Sequence, residues 1–266
     1  MWLVMGRLEG KVAIVTGASR GLGEYCAVAY GREGAAVVVA ARTEQEANPR
    51  LPGTIHSVAK KVDEAGGEAF PVACNVADAA SVQRMVETVL AKYGRVDIVM
   101  NNAGVLPAGN ASTIEMRHWD IEVRVNLNGP FYVTRAVLPT MIERKSGSVI
   151  NISSKGADRY FGHYGVLKRA VEAMTIAFAN EQAENGIAFN SLKPVGAIET
   201  PGMHFGGGDP ERFAGLPPPD RYVEAAILLA LRTPATGTGG IYDDAEVVAK
   251  WADEVTKRRL AGIPLV

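Results

Sequence analysis

Short runs recur along this chain that are too apolar to have a solvent-facing side. Val12–Thr16, Val37–Ala40, Ala69–Ala73, Val96–Met100, Val149–Ile152 and Ile187–Leu192 all have strand length and little polar alternation. Strands of this kind are buried on both faces, as in a parallel sheet covered by helices. The segments between them carry helical spacing. In Ser81–Tyr93, for example, Val82, Met85, Val86 and Val89 form one stripe. Further helices are predicted over Leu22–Arg32, Val58–Glu64, Ile114–Arg144, Gly165–Glu184, Asp220–Leu231 and Asp244–Arg258. Such β-α-β alternation, with right-handed crossovers, predicts an α/β fold: a Rossmann-type, doubly wound parallel sheet with helices on both faces. Neither an internal repeat nor a linker divides the chain, so residues 1–266 are expected to form a single domain. The region Pro201–Pro219 holds five glycines and five prolines with little periodicity, and is expected to be a mobile substrate loop at about 201–219.

Composition excludes several function classes. Lys plus Arg is 28 and Asp plus Glu is 29, a net charge of -1, so no general electrostatic case exists for nucleic acid or an anionic membrane as partner. The longest uncharged apolar runs, Ala35–Ala41 and Ala225–Leu231, are too short to cross a bilayer, and Trp2–Met5 is too short for a signal segment. Cys26 and Cys74 form no CxxC and sit among apolar residues, which suggests buried thiols in a reducing, cytoplasmic compartment. His56, His118, His163 and His204 show no metal-ligand spacing, so no metal is expected.

The first strand runs directly into Thr16-Gly17-Ala18-Ser19-Arg20-Gly21-Leu22-Gly23. Glycines at a strand-to-helix turn permit positive φ and close approach of a pyrophosphate, and the helix N-terminus supplies free N–H donors. At the end of the second strand an acid suits the ribose hydroxyl of NAD, and a cation suits the 2′-phosphate of NADP. Here the strand ends Val39-Ala40-Ala41-Arg42-Thr43, with no acid. Arg42, with Arg20 reaching from the glycine turn, therefore points to NADP(H), with NAD(H) less favoured.

With these motifs in place the chain resembles the short-chain dehydrogenase/reductase family from about Leu8 to Thr200. The resemblance rests on four motifs in family order: the TGxxxGxG turn Thr16–Gly23, the NNAG motif Asn101-Asn102-Ala103-Gly104, the helix asparagine Asn126 in Val125-Asn126-Leu127-Asn128-Gly129, and Asn151-Ile152-Ser153-Ser154 followed by Tyr164-Gly165-Val166-Leu167-Lys168. It implies a catalytic group of Asn126, Ser154, Tyr164 and Lys168. It also implies a cofactor site built from Gly17, Ser19, Arg20, Gly21, Leu22, Gly23, Arg42, Thr43, Asn75, Val76, Asn102, Ala103, Gly104, Tyr164, Lys168, Pro194, Ile198 and Thr200. The sequence departs from the family pattern in places. Asn75 stands where the family usually has aspartate, and Val195 is inserted in the segment Pro194–Thr200 that would hold the nicotinamide. The family serine usually lies about thirteen residues before the tyrosine, whereas Ser154 lies ten before Tyr164 and Ser153 eleven, so both serines are candidates. The insert Asn48–Thr54 resembles that of hydroxysteroid-dehydrogenase-like members.

Tyr164 and Lys168 are spaced i, i+4, so a helix places them on one face. A free tyrosine has a pKa near 10, and a nearby ammonium is expected to lower it. Tyr164 is then the general acid in reduction and the base in oxidation. Ser154 would stabilise the substrate oxygen, Lys168 would also hold the nicotinamide ribose, and Asn126 would connect the site to solvent through a water and Lys168. Tyr160, Phe161, His163, Met203, His204 and Phe205 are the expected substrate pocket. His163 points about 100° from Tyr164 on a helix and reads as a pocket wall. No Arg or Lys is among them, so a neutral, fairly hydrophobic carbonyl or secondary alcohol is the expected substrate. A 3-ketoacyl thioester is the alternative within the same chemistry. It calls for a basic patch at the mouth, where the 201–219 loop offers only Arg212. A non-catalytic dinucleotide sensor is the alternative of another class, and such sensors typically lose the tyrosine or lysine. The resemblance further implies a homodimer or homotetramer built on the helices at about Ile114–Arg144 and Gly165–Glu184.

Overall fold

The computed structural model describes residues 6–46, 48–49, 51–200 and 216–262. The expected loop falls largely on 201–215, and Met203, His204, Phe205 and Arg212 lie outside the described residues, as does Trp2–Met5. One seven-stranded sheet runs through the chain: β1 (Val12–Thr16), β2 (Ala36–Ala41), β3 (Glu68–Ala73), β4 (Ile98–Asn101), β5 (Gly147–Ile152), β6 (Ile187–Lys193) and β7 (Ile241–Asp243). Their order is β3-β2-β1-β4-β5-β6-β7, and every pairing is parallel. The order reverses direction between β1 and β4, which opens a crevice beyond their carboxyl ends.

Alternate residues of each central strand feed two cores. Ala13, Val15, Val37, Val39 and Met100 face α1 (Gly21–Arg32) and α2 (Ile55–Glu64), through Cys26, Tyr30 and Val58. Val12, Ile14, Val38, Val99 and Val149 face α3 (Ala79–Tyr93) and, through Val133 and Val137, α5 (Gly129–Arg144). This two-sided burial is why the strands lack polar alternation. The edge strand β3 is only partly buried, and it carries Pro71, which an edge position tolerates. Both cysteines are buried and unpaired, and burial raises both thiols, Cys74 to about 11. None of the described helices is long and apolar enough to cross a membrane.

The structure corrects several expected elements. The helix expected over 114–144 is three pieces: α4 (Met116–Val123), a widened π-turn (Arg124–Asn128) and α5. A short helix, α6 (Lys155–Asp158), precedes α7 (Gly162–Gln182). After α8 (Asp220–Ala230) comes β7, a strand the sequence reading lacked. The expected C-terminal helix breaks into α9 (Asp244–Trp251) and α10 (Glu254–Leu260), because Ala252 is extended and Asp253 caps the next helix by accepting from the Thr256 N–H at 2.7 Å.

At the amino-terminal edge of the sheet, Asp97 ties β1 to β4. Its carboxylate is buried and accepts from the Val12 N–H at 2.9 Å, from Arg95 at 2.8 and 2.5 Å, and from Arg144 at 3.0 Å. Burial alone would raise its pKa, but these donors hold it below the ordinary value. Asp97→Ala leaves two arginines and a strand N–H without their acceptor and should cost about 3–5 kcal/mol, read as a fall in the denaturation midpoint. Because the folded pKa is depressed, the parent should keep this contribution at neutral pH and lose it only as pH falls through that lowered value.

Candidate active site

The motif residues converge at the carboxyl edge of the sheet, around the crevice between β1 and β4. Gly17 and Gly21 have φ of 65° and 62°, the left-handed region that glycine adopts without strain. A Cβ on Gly23 would lie 2.7 Å from the Gly17 carbonyl oxygen and 2.4 Å from Asn102 Nδ2, so only glycine lets α1 approach this closely. Thr16 Oγ1 accepts the N–H groups of Asn102 and Ala103, both at 3.1 Å, and Asn102 Nδ2 donates to the Thr16 carbonyl at 2.8 Å. The glycine turn and the NNAG motif are thereby one unit. Arg20 gives α1 no side-chain cap, so the first N–H groups of this helix are available to an anion, as a dinucleotide pyrophosphate requires. Ser19 is buried beside the turn, with Leu22 packed against the core. Thr200 sits over Gly21, 3.4 Å from where a Cβ would be, and Ile198 is buried. Pro194 opens this strap. The inserted Val195 is turned outward, with its N–H held by Asp244 at 2.6 Å, so the extra residue is absorbed at the surface.

Two cofactor candidates differ from expectation. Asn75 Oδ1 accepts from the Ala77 N–H at 3.2 Å, which leaves its amide as a donor, and Val76 packs against Gly129. Arg20 is turned onto the insert: Nε donates to the Pro52 carbonyl at 3.0 Å, and a terminal nitrogen donates to the Gly53 carbonyl at 2.8 Å. Glu46 holds the same insert through the Gly53 N–H at 3.0 Å. Burial chiefly, and also the charge of Arg42, lower the Arg20 pKa, against the charges of Glu46 and Glu24. Arg42 itself is exposed, and Thr43 carries the chain into α2, its carbonyl accepting from the Ile55 N–H at 3.0 Å.

The two candidate serines face different ways. Ser153 is buried and donates to Glu172 at 2.7 Å. Ser154 caps α6, accepting from the Gly156 N–H at 3.0 Å, and faces the same cleft as the Tyr164 phenol. Lys168 is buried, donates to the Ile152 carbonyl at 2.7 Å, and lies 5.6 Å from the Tyr164 ring centre. Burial pushes its pKa down to about 8. The expected lowering of the tyrosine by this ammonium is not what the environment produces. Burial dominates and, with the charge of Glu122, raises the phenol above its ordinary value, against the influence of the nearby Ser154 hydroxyl. Asn126 is fully buried, and its side chain is spent on Val105: Oδ1 accepts the N–H at 2.9 Å and Nδ2 donates to the carbonyl at 2.7 Å. Gly104 keeps space beside it, since a Cβ there would stand 3.3 Å from Asn126 Oδ1 and 3.9 Å from Lys168 Nζ.

A cleft of about 210 Å³ opens in front of Tyr164, lined by Leu106, Ser154, Lys155, Gly156, Arg159 and Phe161. Of the expected pocket residues, Phe161 lies in it. Tyr160 is outside, 76% exposed at φ 51° with Arg169 against its ring, and His163 is turned away into α4, where it meets Glu122. Leu106, Arg159 and Glu122 were missed from sequence. Arg159 and Lys155 also correct the expectation that no cation lines the site, although Lys155 is paired with Asp243 at 2.9 Å. A larger hollow of about 440 Å³ lies at the opposite edge of the sheet, between Glu9, Lys11, Glu68 and Tyr93. Gly23→Ala, with its overpacking strain of about 1–3 kcal/mol, should weaken dinucleotide binding by one to two decades in a fluorescence titration while the circular dichroism spectrum is unchanged.

Comparison with known proteins agrees with this geometry. The pattern of the short chain dehydrogenase family matches residues 11–205. The chain is 34% identical over 200 residues to the 3-oxoacyl-[acyl-carrier-protein] reductase FabG of Thermotoga maritima, covering 73% of this chain and 77% of that protein. It is 32% identical over 208 residues to the hydroxysteroid dehydrogenase-like protein 2 of Danio rerio, covering 76% of this chain but only 50% of that longer relative. Among solved structures, a gluconate 5-dehydrogenase from Burkholderia cenocepacia, in complex with NADP and tartrate, superposes with a TM-score of 0.77 at 30% identity, covering 89% of this chain and 94% of that one. With the glycine turn, the NNAG unit and the tyrosine–lysine pair gathered at one sheet edge, the chain belongs to the short-chain dehydrogenase/reductase family and is an NAD(P)-dependent oxidoreductase.

Proposed function

We propose that the protein transfers a hydride between NADP(H) and the carbonyl or secondary alcohol of a neutral, fairly hydrophobic small molecule. The observation that carries this reading is that Ser154 and Tyr164 line one cleft together with Leu106 and Phe161. A substrate oxygen placed between the two hydroxyls receives a hydrogen bond from each. The raised pKa keeps the phenol protonated at neutral pH, which suits Tyr164 as the proton donor in reduction. Ser154 stabilises the developing oxyanion. Ser153, buried against Glu172, serves the packing instead.

The bound nicotinamide dinucleotide supplies or accepts the hydride. The glycine turn and the start of α1 would take its pyrophosphate, Asn75, Val76 and Asn102–Gly104 would line its adenosine half, and Lys168, Pro194, Ile198 and Thr200 would hold its nicotinamide half. Lys168, still mostly charged at neutral pH, would favour phenolate when the reaction runs as oxidation. Because the Asn126 side chain is committed to Val105, a proton path through this residue would run by its main-chain carbonyl. The π-turn at Arg124–Asn128 breaks the regular helical pairing there.

A second reading, reduction of a 3-ketoacyl thioester, is favoured by Arg159 at the cleft and by the likeness to FabG. A panel of neutral aryl and alkyl ketones, run beside acetoacetyl-coenzyme A with NADPH, separates the two. We further propose a homo-oligomer, for which exposed Phe131 on α5 and Val166 and Ile176 on α7 supply apolar surface.

Tyr164→Phe should bind NADPH as the parent does and lose about 10²–10⁴-fold in turnover. Ser154→Ala should lose about 10²-fold or more, and Ser153→Ala much less. Turnover of the phenylalanine variant within a few-fold of the parent would remove Tyr164 from the mechanism. A reversed serine ranking would reassign the oxyanion contact.

Cofactor choice rests mainly on Arg42. A charge-assisted hydrogen bond to the 2′-phosphate contributes about 1.5–3 kcal/mol, so NADPH should exceed NADH by more than about tenfold in kcat/KM. Ala41→Asp with Arg42→Ala should invert the order. An equal or better rate with NADH in the parent would return Arg42 to an ordinary surface role.

A further inference from the structure

Helix α4 carries a carboxylate that neither the fold nor the proposed chemistry requires. Glu122 is fully buried one helical turn before Asn126, and its Oε1 has no hydrogen-bond partner. Its Oε2 lies 2.5 Å from Nδ1 of His163, the residue preceding Tyr164 on α7. The other ring nitrogen, Nε2, lies 3.2 Å from the Gly109 carbonyl oxygen. A carbonyl only accepts, so Nε2 carries a proton. The contact on the other side then needs a second proton, shared between Nδ1 and Glu122. In either sharing arrangement the pair is neutral as a whole, in a place where an unpaired carboxylate would be costly.

What this pair grips is the segment that follows Asn102–Gly104. Asn126 holds Val105 by both backbone groups, and His163 holds Gly109. Leu106 lies between the two anchors and lines the cleft with Ser154 and Tyr164. Gly109 adopts φ 126°, and a Cβ there would come within 2.9 Å of the Ile114 Cα, so glycine is needed to present this carbonyl.

We propose that Glu122 and His163 are a positioning pair, latching the Leu106 wall of the cleft to the catalytic helix and so setting how tightly a carbonyl substrate is held beside Tyr164. The proposal rests on the reading of Tyr164 given above. From α7, the groups facing Glu122 are His163, Tyr164 and Lys168, and burial raises its own pKa against the hydrogen bond and charge of His163 and the charge of Lys168. Its charge in turn acts on Tyr164 and Lys168, so a latch and a purely electrostatic role must be separated.

Glu122→Leu and Glu122→Gln separate them. Leucine fills the space and removes the bond to His163, whereas glutamine keeps a bond and cannot be ionised. With NADPH and 4-phenyl-2-butanone, the leucine variant should raise KM about tenfold or more, with kcat within a few-fold of the parent. Amide hydrogen exchange over residues 105–110 should also quicken in the protein without substrate. The glutamine variant should restore both. Unchanged KM and exchange in Glu122→Leu, or failure of glutamine to restore them, would overturn the latch. On the unmodified protein, ¹⁵N shifts of His163 should show a protonated Nε2, and a bare Nε2 would also overturn it. The exchange and shift measurements do not depend on turnover, so they stand apart from a failure of the Tyr164 reading.

Discussion

The site is organised around a buried ammonium. Taking a lysine out of water is costly, and a buried cation ordinarily contacts a carboxylate. Lys168 instead gives its Nζ to the Ile152 carbonyl at the end of β5, and the charge of Glu122 supports it from outside hydrogen-bonding range. Burial accordingly pulls its pKa down to about 8, close enough to neutrality for its charge to be sensitive to what binds beside it. The same burial raises Tyr164. One desolvated pocket thus moves a cation and a phenol in opposite directions, and both shifts disfavour the charged form. An anion or dipole bound next to Lys168, or a positive charge next to Tyr164, is therefore felt more strongly than at an exposed site.

Such a pocket works only if α7 is held in register with the strand ends. A row of buried polar side chains does this. Asn101, Asn151 and Ser191 are register partners across β4, β5 and β6. Asn101 donates to Asn151 at 2.9 Å, Asn151 donates to Thr175 on α7 at 2.9 Å, and Thr175 meets Ser191 at 2.9 Å. Each bond is modest in net worth, but an unmade one in this setting costs about 1–3 kcal/mol. The row therefore specifies one seating of α7, and with it the distance from Tyr164 to Ser154.

The parts legible in the sequence are those encoded over a few adjacent residues. β1 with its glycine turn is one, since apolar runs and positive φ are local properties. The stripe of α3 is another. What escaped was set by distant partners. The three-residue strand β7 exists because Ser191–Lys193 pair with it, and nothing in Ile241–Asp243 alone distinguishes it from a loop. His163 meets Glu122, a partner 41 residues earlier in the chain that no local pattern announces. Arg20 is claimed by carbonyls of an insert whose path the sequence does not declare. Arg159 was missed with α6, because four residues carry no periodicity to read.

The shortened segment between serine and tyrosine shows how a departure from the family pattern is absorbed. Ten residues must bring Tyr164 back against Ser154. Tyr160 and Gly162 both adopt φ of 51°, and the Phe161 N–H returns to the Gly156 carbonyl at 2.9 Å, so the chain reverses sharply after α6. Glycine takes this conformation freely, whereas a tyrosine there costs about 1–3 kcal/mol. The turn is anchored from outside: Asp158 receives Lys193 of β6 at 2.6 Å, and Lys155 binds Asp243 of β7 at 2.9 Å. Lys193 is itself buried and also reaches Glu172 at 3.3 Å, the carboxylate that accepts from Ser153. The serine that faces inward is thus tied into the network that restrains the turn, and the serine that faces the cleft caps the helix from which the turn departs. The shortened loop is steadied where it leaves α6, because the ends of β6 and β7 hold Asp158 and Lys155 at its start.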